Sequence, residues 1–232
     1  MKNFIPNVGK YITDTWSAIT GLGIIKIFIV IIVTAMFTIA FSPNIILRLI
    51  EKEKIEISRE KKEFRKENDP IIRQALHDII YEVGACRASV LEFHNGKENP
   101  SGLGFYYVDM NYEVTRNRIG FVSEQYTNIN MSLLEMPNIL YMNGYWYGTV
   151  EELKIIDPKL GHMIEENGTK WIAFLLLESS IELGILELSF TEEPVNKQYV
   201  GRQLRKTGAM VSGKLDFANR KKEKSWLKFF GI

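Results

Sequence analysis

The side chains that most often carry catalysis or metal binding are few in this 232-residue sequence. It has three histidines, His77, His94 and His162, and a single cysteine, Cys86. No pair of them has the short spacing of metal ligands. Glu92, on an alternating strand, is expected to face solvent rather than act as a general base. We therefore expect no enzyme, no metal site and no cofactor, and we expect Cys86 to be a small buried apolar residue.

Two clusters remain as a possible ligand or partner surface. His94 and Asn95 precede a glycine, a pattern typical of a turn whose histidine ring bonds nearby backbone. A role in a binding pocket and a role in catalysis are the alternatives for this pair. Tyr145, Trp146 and Tyr147 form an aromatic cluster that would either line a ligand cleft or pack within a sheet.

An apolar run near the start of the chain, "GIIKIFIVIIVTAMFTIAF", occupies residues 23–41. As a helix of about 1.5 Å rise per residue, it would match the hydrocarbon thickness of a bilayer. It predicts a transmembrane helix, and the alternatives are a cleaved signal peptide or a buried helix. Thr34, Ala35 and Thr38 are its small or polar positions, through which spans could pack into a homo-oligomer.

The segments around this run divide the chain into five parts: a short head (1–22), the span (23–41), a charged stalk helix (42–69), a globular domain (70–217) and a tail (218–232). Charges of both signs cancel along the stalk, which is typical of a solvated helix. A short coiled-coil contact through Leu47, Ile50, Ile55 and Ile57 is the alternative. Asn68 or Asp69 is expected to cap a new helix with Pro70 in its first turn.

The globular domain alternates between helical and strand patterns. An amphipathic helix is followed by two strands, an irregular middle with helices around 131–140 and 157–168, two further strands and a closing helix. The strands are expected at 87–96, 105–114, 169–178 and 181–190. This order predicts an α+β fold, an antiparallel sheet with the terminal helices on one face. The order and the ending "LGILELSFTEEPVNKQYVGRQLRKTGAMVSGKL" resemble GAF and PAS domains.

The tail mixes cations with bulky aromatic residues. Lys221, Lys222, Trp226, Phe229 and Phe230 would form an interfacial anchor on a bilayer, and an untethered solubilising tail is the alternative. A lipid bilayer is therefore an expected partner. The net charge of +1 gives no reason to expect nucleic acid as a partner.

The layout of head, single span, stalk and globular domain is similar to that of the T holin family of T-even bacteriophages. The segments "MPNILYMNGYWYGTVEELKIIDP" and "GILELSF" also resemble parts of that family. The resemblance implies timed permeabilisation of the host inner membrane during lysis. It also implies oligomerisation through the span and a regulatory globular domain that binds an antiholin or another regulatory protein. The competing function is a membrane-tethered GAF-like sensor or adaptor that binds a small molecule or a protein partner, and a structural membrane protein is a third possibility.

The two arguments about topology disagree. Cations after the span, among them Arg48, Lys52 and Lys54, outnumber those before it, so the positive-inside rule places the globular domain in the cytoplasm. The holin resemblance implies the periplasm, and long translocated domains are less bound by local charge. We expect a single-pass membrane protein and follow the holin resemblance in placing its domain on the periplasmic side.

Overall fold

A computed structural model of the chain describes residues 23–34, 36, 43–98, 104–116, 118–179 and 182–217. The chain forms two compact units, residues 1–60 and residues 61–232. The helices are α1 (residues 23–34), α2 (Pro43–Val83), α3 (Met136–Asn143), α4 (Val150–Ile156), α5 (Pro158–Glu166) and α6 (Lys197–Leu215). The strands are β1 (Arg87–Glu98), β2 (Gly104–Thr115), β3 (Ile129–Asn130), β4 (Tyr145–Thr149), β5 (Trp171–Glu178) and β6 (Glu182–Phe190).

Helix α1 exposes large apolar side chains on all sides, including those of Ile24, Phe28 and Ile32. Within the described residues, none of the helices combines the length and the apolar character needed to cross a membrane. The predicted span continues through residue 35 and residues 37–41, which lie outside the described residues. The span therefore stays a prediction.

Helix α2 is one continuous helix, and the predicted cap at Asn68 or Asp69 was wrong. Pro70 lies inside the helix, where it supplies no backbone N–H and would be expected to interrupt it. The Asn68 side chain instead turns inward and donates to the carbonyl of Phe64 at 3.0 Å. Side chains on both sides of Pro70 are buried against the domain, so tertiary packing holds the helix through the proline.

The six strands form one antiparallel sheet in the order β3-β2-β1-β6-β5-β4. The hairpins β1–β2 and β5–β6 were predicted, as was the closing helix. The sheet is covered on both faces, so its two sets of alternating side chains form two separate cores.

Helices α2 and α6 cover one face, called here the helix face. Its core is made of closely packed aliphatic and aromatic residues, among them Ile72, Leu76, Trp171, Leu188 and Leu204. In α6, an added Cβ at Gly208 would lie 2.2 Å from the Leu175 side chain, so a glycine lets the helix approach the sheet closely. The predicted placement of both terminal helices on one face is confirmed.

The short helices α3, α4 and α5 cover the opposite face, called here the cavity face, together with two single-turn 3-10 helices (Ser123–Gln125 and Met131–Leu133). Strand β2 serves both faces because its register shifts where Val90 pairs with Tyr112 but Leu91 pairs with Met110. Asn111 is the bulged residue, and beyond it the side chains of β2 that faced one side of the sheet face the other. As a result both Met110 and Glu113 face the cavity side.

The middle of the domain was predicted only in part. The expected helix at 131–140 is a 3-10 turn followed by α3. Helix α3 ends at Asn143, with Gly144 in the left-handed conformation that closes helices. Helix α4 and strand β4 were missed. The sequence did carry a signal for α4, since Thr149 and Glu152 form a capping box at its start.

Candidate ligand-binding site

A cavity of about 30 Å³ lies between the sheet and the short helices of the cavity face. Apolar side chains make almost all of its wall, and one carboxyl lies among them. The lining residues from the sheet are Leu91, Val108, Ile129, Phe174, Ile185 and Glu187; those from the covering segments are Tyr126, Met131, Leu134, Met136, Pro137 and Leu160.

Glu187 supplies the carboxyl at the floor of the cavity, and the residue is only 2% exposed. The Ser189 hydroxyl donates to it at 2.8 Å. Ser89 lies directly across from it in β1, and the Ser89 side chain is fully buried. Burial raises the pKa of Glu187, against the opposing effects of the Ser189 hydrogen bond and the Arg87 charge. The floor of the cavity thus offers a proton-accepting or proton-donating group in an apolar setting.

An ion pair beside this floor holds the loop between β2 and β3. Arg87 Nε lies 2.9 Å from Glu113 Oε1, and each side chain is only 3% exposed. The Arg87 Nε–H is not aligned for a hydrogen bond, but Nη2 donates to the carbonyl of Gly120 at 2.9 Å. Glu113 accepts from the backbone N–H groups of Val122 and Ser123 at 2.9 Å each. The loop that carries Tyr126 into the cavity wall is therefore attached to the sheet by buried charges.

Tyr126 places its phenol in the same polar region. Burial and the nearby Glu187 carboxyl raise the pKa of Tyr126, so the phenol stays protonated. Asn167 lies 3.5 Å from the hydroxyl oxygen, at the limit of hydrogen-bond distance. The phenol and the Glu187 carboxyl are the two titratable groups among the residues that line the cavity.

Another buried carboxylate, Asp157, attaches the opposite wall. Its Oδ2 accepts from the backbone N–H groups of Glu135 at 2.7 Å and Met136 at 3.0 Å. Its Oδ1 accepts from Leu160 N at 3.0 Å and caps α5. One side chain therefore joins the start of α3 to the start of α5. Because Met136 and Leu160 both line the cavity, the position of Asp157 determines the shape of this wall.

The predicted aromatic cluster is divided between the two faces of the sheet. Trp146 points toward the cavity face, where its ring lies 6.2 Å from that of Phe174, behind the lining. Tyr145 and Tyr147 point to the other face of the sheet edge and are 42% and 43% exposed. None of the three lines the cavity, and their role as a partner surface stays a prediction.

His94 lies in the second half of β1, and its side chain is half-buried. Its Nε2 is 3.2 Å from Asp109 Oδ2, and its ring stacks on Tyr107 with 5.9 Å between centroids. The Asn95 side chain lies outside the described ones. Strand β1 continues through the predicted Asn95–Gly96 turn to Glu98. His94 is not among the residues that line the cavity.

Several other predicted positions have mixed outcomes. Thr34 donates to the carbonyl of Val30 at 2.7 Å within α1, whereas Ala35, Thr38 and the anchor residues Lys221, Lys222, Trp226, Phe229 and Phe230 lie outside the described residues. Cys86 is buried, as expected. The prediction that Glu92 faces solvent was wrong, since its side chain is 12% exposed and forms an ion pair with Arg65 of α2.

The residues of the cavity floor were missed for a physical reason. In "ILELSF" the apolar positions Leu186, Leu188 and Phe190 alternate with Glu187 and Ser189, and alternation normally places the polar set in solvent. Both faces of this sheet are covered, so the polar set is buried on the cavity face. The charged residues within an otherwise apolar central strand were the available signal.

Comparison with known proteins identifies the fold. A scan against protein-family models gave no match, and no curated protein matches the sequence. Among solved structures, the GAF domain of PixJ from Thermosynechococcus elongatus, in its blue-light-absorbing form, is similar with a TM-score of 0.53 at 11% identity, over 69% of this chain and 94% of that one.

Two further GAF structures have weaker similarity. The phycocyanobilin-bound GAF domain of a cyanobacterial phytochrome has a TM-score of 0.47 at 13% identity, over 68% of this chain and 92% of that one. The GAF/HD domain protein of Geobacter sulfurreducens has a TM-score of 0.48 at 8% identity, over 64% and 91%. The globular unit thus has a GAF-like fold, and identities this low establish the fold alone.

Proposed function

We propose that this protein is a membrane-tethered sensor or adaptor whose GAF-like domain binds a small molecule in the cavity. The observation that carries the proposal is a largely apolar cavity with the buried Glu187 carboxyl on its floor. Ligand sites in proteins are typically apolar concavities with a few convergent polar groups. The structural neighbours include a GAF domain in a blue-light-absorbing form, which favours a sensory role over the holin function.

Binding without catalysis is part of the proposal. The lining offers Glu187 and Tyr126 as titratable groups, and neither lies beside a nucleophile among the lining residues. The membrane tether is the other part, supported by the apolar residues 23–41 and by the exposure of large apolar side chains on all sides of α1.

The cavity is small, and this limits the ligand in the observed conformation. A volume of about 30 Å³ excludes a molecule of the size of a bilin unless the wall moves. The wall segment from Met131 to Glu135 is a 3-10 turn followed by a short connection to α3. We propose that ligands are admitted by displacement of this segment, with Asp157 limiting how far it opens.

A binding experiment with three planar probes tests the proposal. Indole, benzamidine and benzoate represent neutral, cationic and anionic ligands, and saturation-transfer NMR on the full chain in detergent measures their binding. We expect at least one probe to bind saturably. Leu134→Phe fills the cavity wall and should weaken that binding about tenfold, which corresponds to ~1.4 kcal/mol.

Leu133→Phe is the matched control, because Leu133 is the neighbouring residue, is exposed, and does not line the cavity. It should leave binding unchanged. Failure of all three probes to saturate, or equal weakening by the two phenylalanine variants, would contradict a ligand site in this cavity.

A further inference from the structure

Strand β4 forms one end of the sheet, and among the described residues no strand pairs with its outer side. Leu176 N donates to Gly144 O at 2.8 Å, and Val150 N donates to Lys170 O at 3.0 Å. In an antiparallel pair, alternate residues bond to the neighbour and the others point away. The even-numbered residues of β4 therefore bond to β5, and the backbone groups of Tyr145 and Tyr147 point outward.

The open edge has a definite length. Thr149 would be the next outward residue, but its N–H bonds to Glu152 Oε2 at 2.8 Å in the capping box of α4. Tyr145 and Tyr147 thus each present one N–H and one C=O group to an approaching strand. Extended peptides add to sheet edges that present such groups.

Side chains beside this edge give it a specific chemical character. The rings of Tyr145 and Tyr147 stack with 6.1 Å between centroids and are nearly half exposed. The Arg205 guanidinium of α6 lies 5.0 Å from the centroid of the Tyr145 ring. Lys197, at the start of α6, lies near Tyr147 and forms an ion pair with Glu193. Both cations therefore lie along the same edge as the two tyrosines.

The charge of α6 is one-sided. Its five charged residues are all basic and none is acidic: Lys197, Arg202, Arg205, Lys206 and Lys214. Lys197 is already bonded to Glu193, whereas no carboxylate pairs with Arg205 in the part of the chain that the structure describes. An Arg stacked on an exposed tyrosine, with its N–H groups unused by carboxylates, is well suited to bind one from a partner.

From these features we propose that the β4 edge is a docking site for an extended acidic peptide of a partner protein, which adds to the sheet as a further strand. The peptide backbone pairs with Tyr145 and Tyr147, and an acidic side chain of the peptide bonds to Arg205. A second copy of this chain fits less well, because pairing two β4 edges would bring two wholly basic α6 helices to one joint sheet. This inference is independent of the ligand proposed for the cavity.

The test uses the full chain and a fluorescent heptapeptide in which glutamate alternates with valine, with binding measured by fluorescence anisotropy. Arg205→Glu should weaken binding about tenfold or more, equivalent to ~1.4 kcal/mol. Lys206→Glu is the matched control, since it makes the same charge change one residue further along the helix and away from Tyr145. It should change the affinity less than threefold.

Backbone N-methylation of the peptide separates strand addition from simple charge attraction. One peptide carries N-methyl groups at its odd positions and another at its even positions, with identical charge. Strand addition requires that one of them binds and the other fails, because only alternate N–H groups face the edge. The proposal would be overturned if the two N-methylated peptides bound equally well, or if the parent peptide did not bind. It would also be overturned if Arg205→Glu and Lys206→Glu weakened binding equally. Self-association of the protein that the parent peptide does not displace would assign the edge to a second copy instead.

Discussion

The two faces of the sheet are built from the same strands but are covered and packed differently. On the helix face, α2 and α6 supply long apolar stripes, and the core residues are almost completely buried. On the cavity face, three short helices and two 3-10 turns cover the sheet, charged groups are buried, and a cavity remains. Long helices fill a sheet surface efficiently, whereas short segments need individual hydrogen bonds to hold them. The helix face therefore contributes tight packing, and the cavity face holds the candidate site.

The largest expected effect comes from removing a large side chain from the helix face. Leu76→Ala should lower the free energy of unfolding by ~3–5 kcal/mol, because the site is fully buried among rigid neighbours. Leu134→Ala on the cavity face should cost only ~1–2 kcal/mol, because one side of Leu134 already lacks packing partners. Urea unfolding followed by tryptophan fluorescence measures both, and equal losses would contradict the difference between the faces.

Asp157 is expected to matter next most, because it holds the cavity wall through three backbone N–H groups. Asp157→Asn should cost ~2 kcal/mol, since an amide NH₂ replaces one accepting oxygen and faces buried donors. Hydrogen exchange should increase at the Glu135 and Met136 amides and stay unchanged at helix-face amides such as that of Leu188. Uniform acceleration across both faces would show that Asp157 supports the whole domain rather than the wall.

The buried Glu187 carboxyl gives the cavity face a pH dependence. Its pKa is raised by burial from an ordinary value of 4.5. Between 4.5 and the raised value, the folded state binds more protons than the unfolded state, so stability falls as pH rises. Glu187→Gln cannot titrate, so the stability of the native protein relative to this variant should decline as pH rises through that window. A difference that stays flat or grows with pH would contradict a raised pKa.

The smallest effect concerns how closely α6 approaches the helix face. Gly213 has open space around it, so Gly213→Ala should stabilise the protein by ~0.5–1 kcal/mol through helix propensity alone. Gly208→Ala has the same intrinsic gain, but its Cβ would meet the Leu175 side chain at 2.2 Å, so we expect no gain or a loss of ~1 kcal/mol. Thermal unfolding compares the pair, and equal stabilisation would mean that the helix face is less tightly packed than described.

Much of the helix face could be predicted from sequence, and little of the cavity face. The amphipathic pattern of Ile72, Leu76 and Ile79, and the paired strands that end in Phe190, follow from periodicity that local sequence encodes. The cavity floor depends on a bulge at Asn111 and on burial of the sheet's second face. Both depend on contacts between segments that are distant in sequence. The capping box at Thr149 could have revealed α4, whereas nothing local places Asp157 against Glu135.

The central claim, that the cavity face and not the helix face receives a small molecule, is tested most directly by methyl-resolved NMR of the full chain during titration with indole. We predict saturable shifts at the methyl groups of Leu91, Leu160 and Ile185, which line the cavity. The methyl groups of Leu76, Leu188 and Leu204 in the helix-face core should not move. Shifts of equal size on both faces, or none at the cavity methyl groups at saturating indole, would contradict the account.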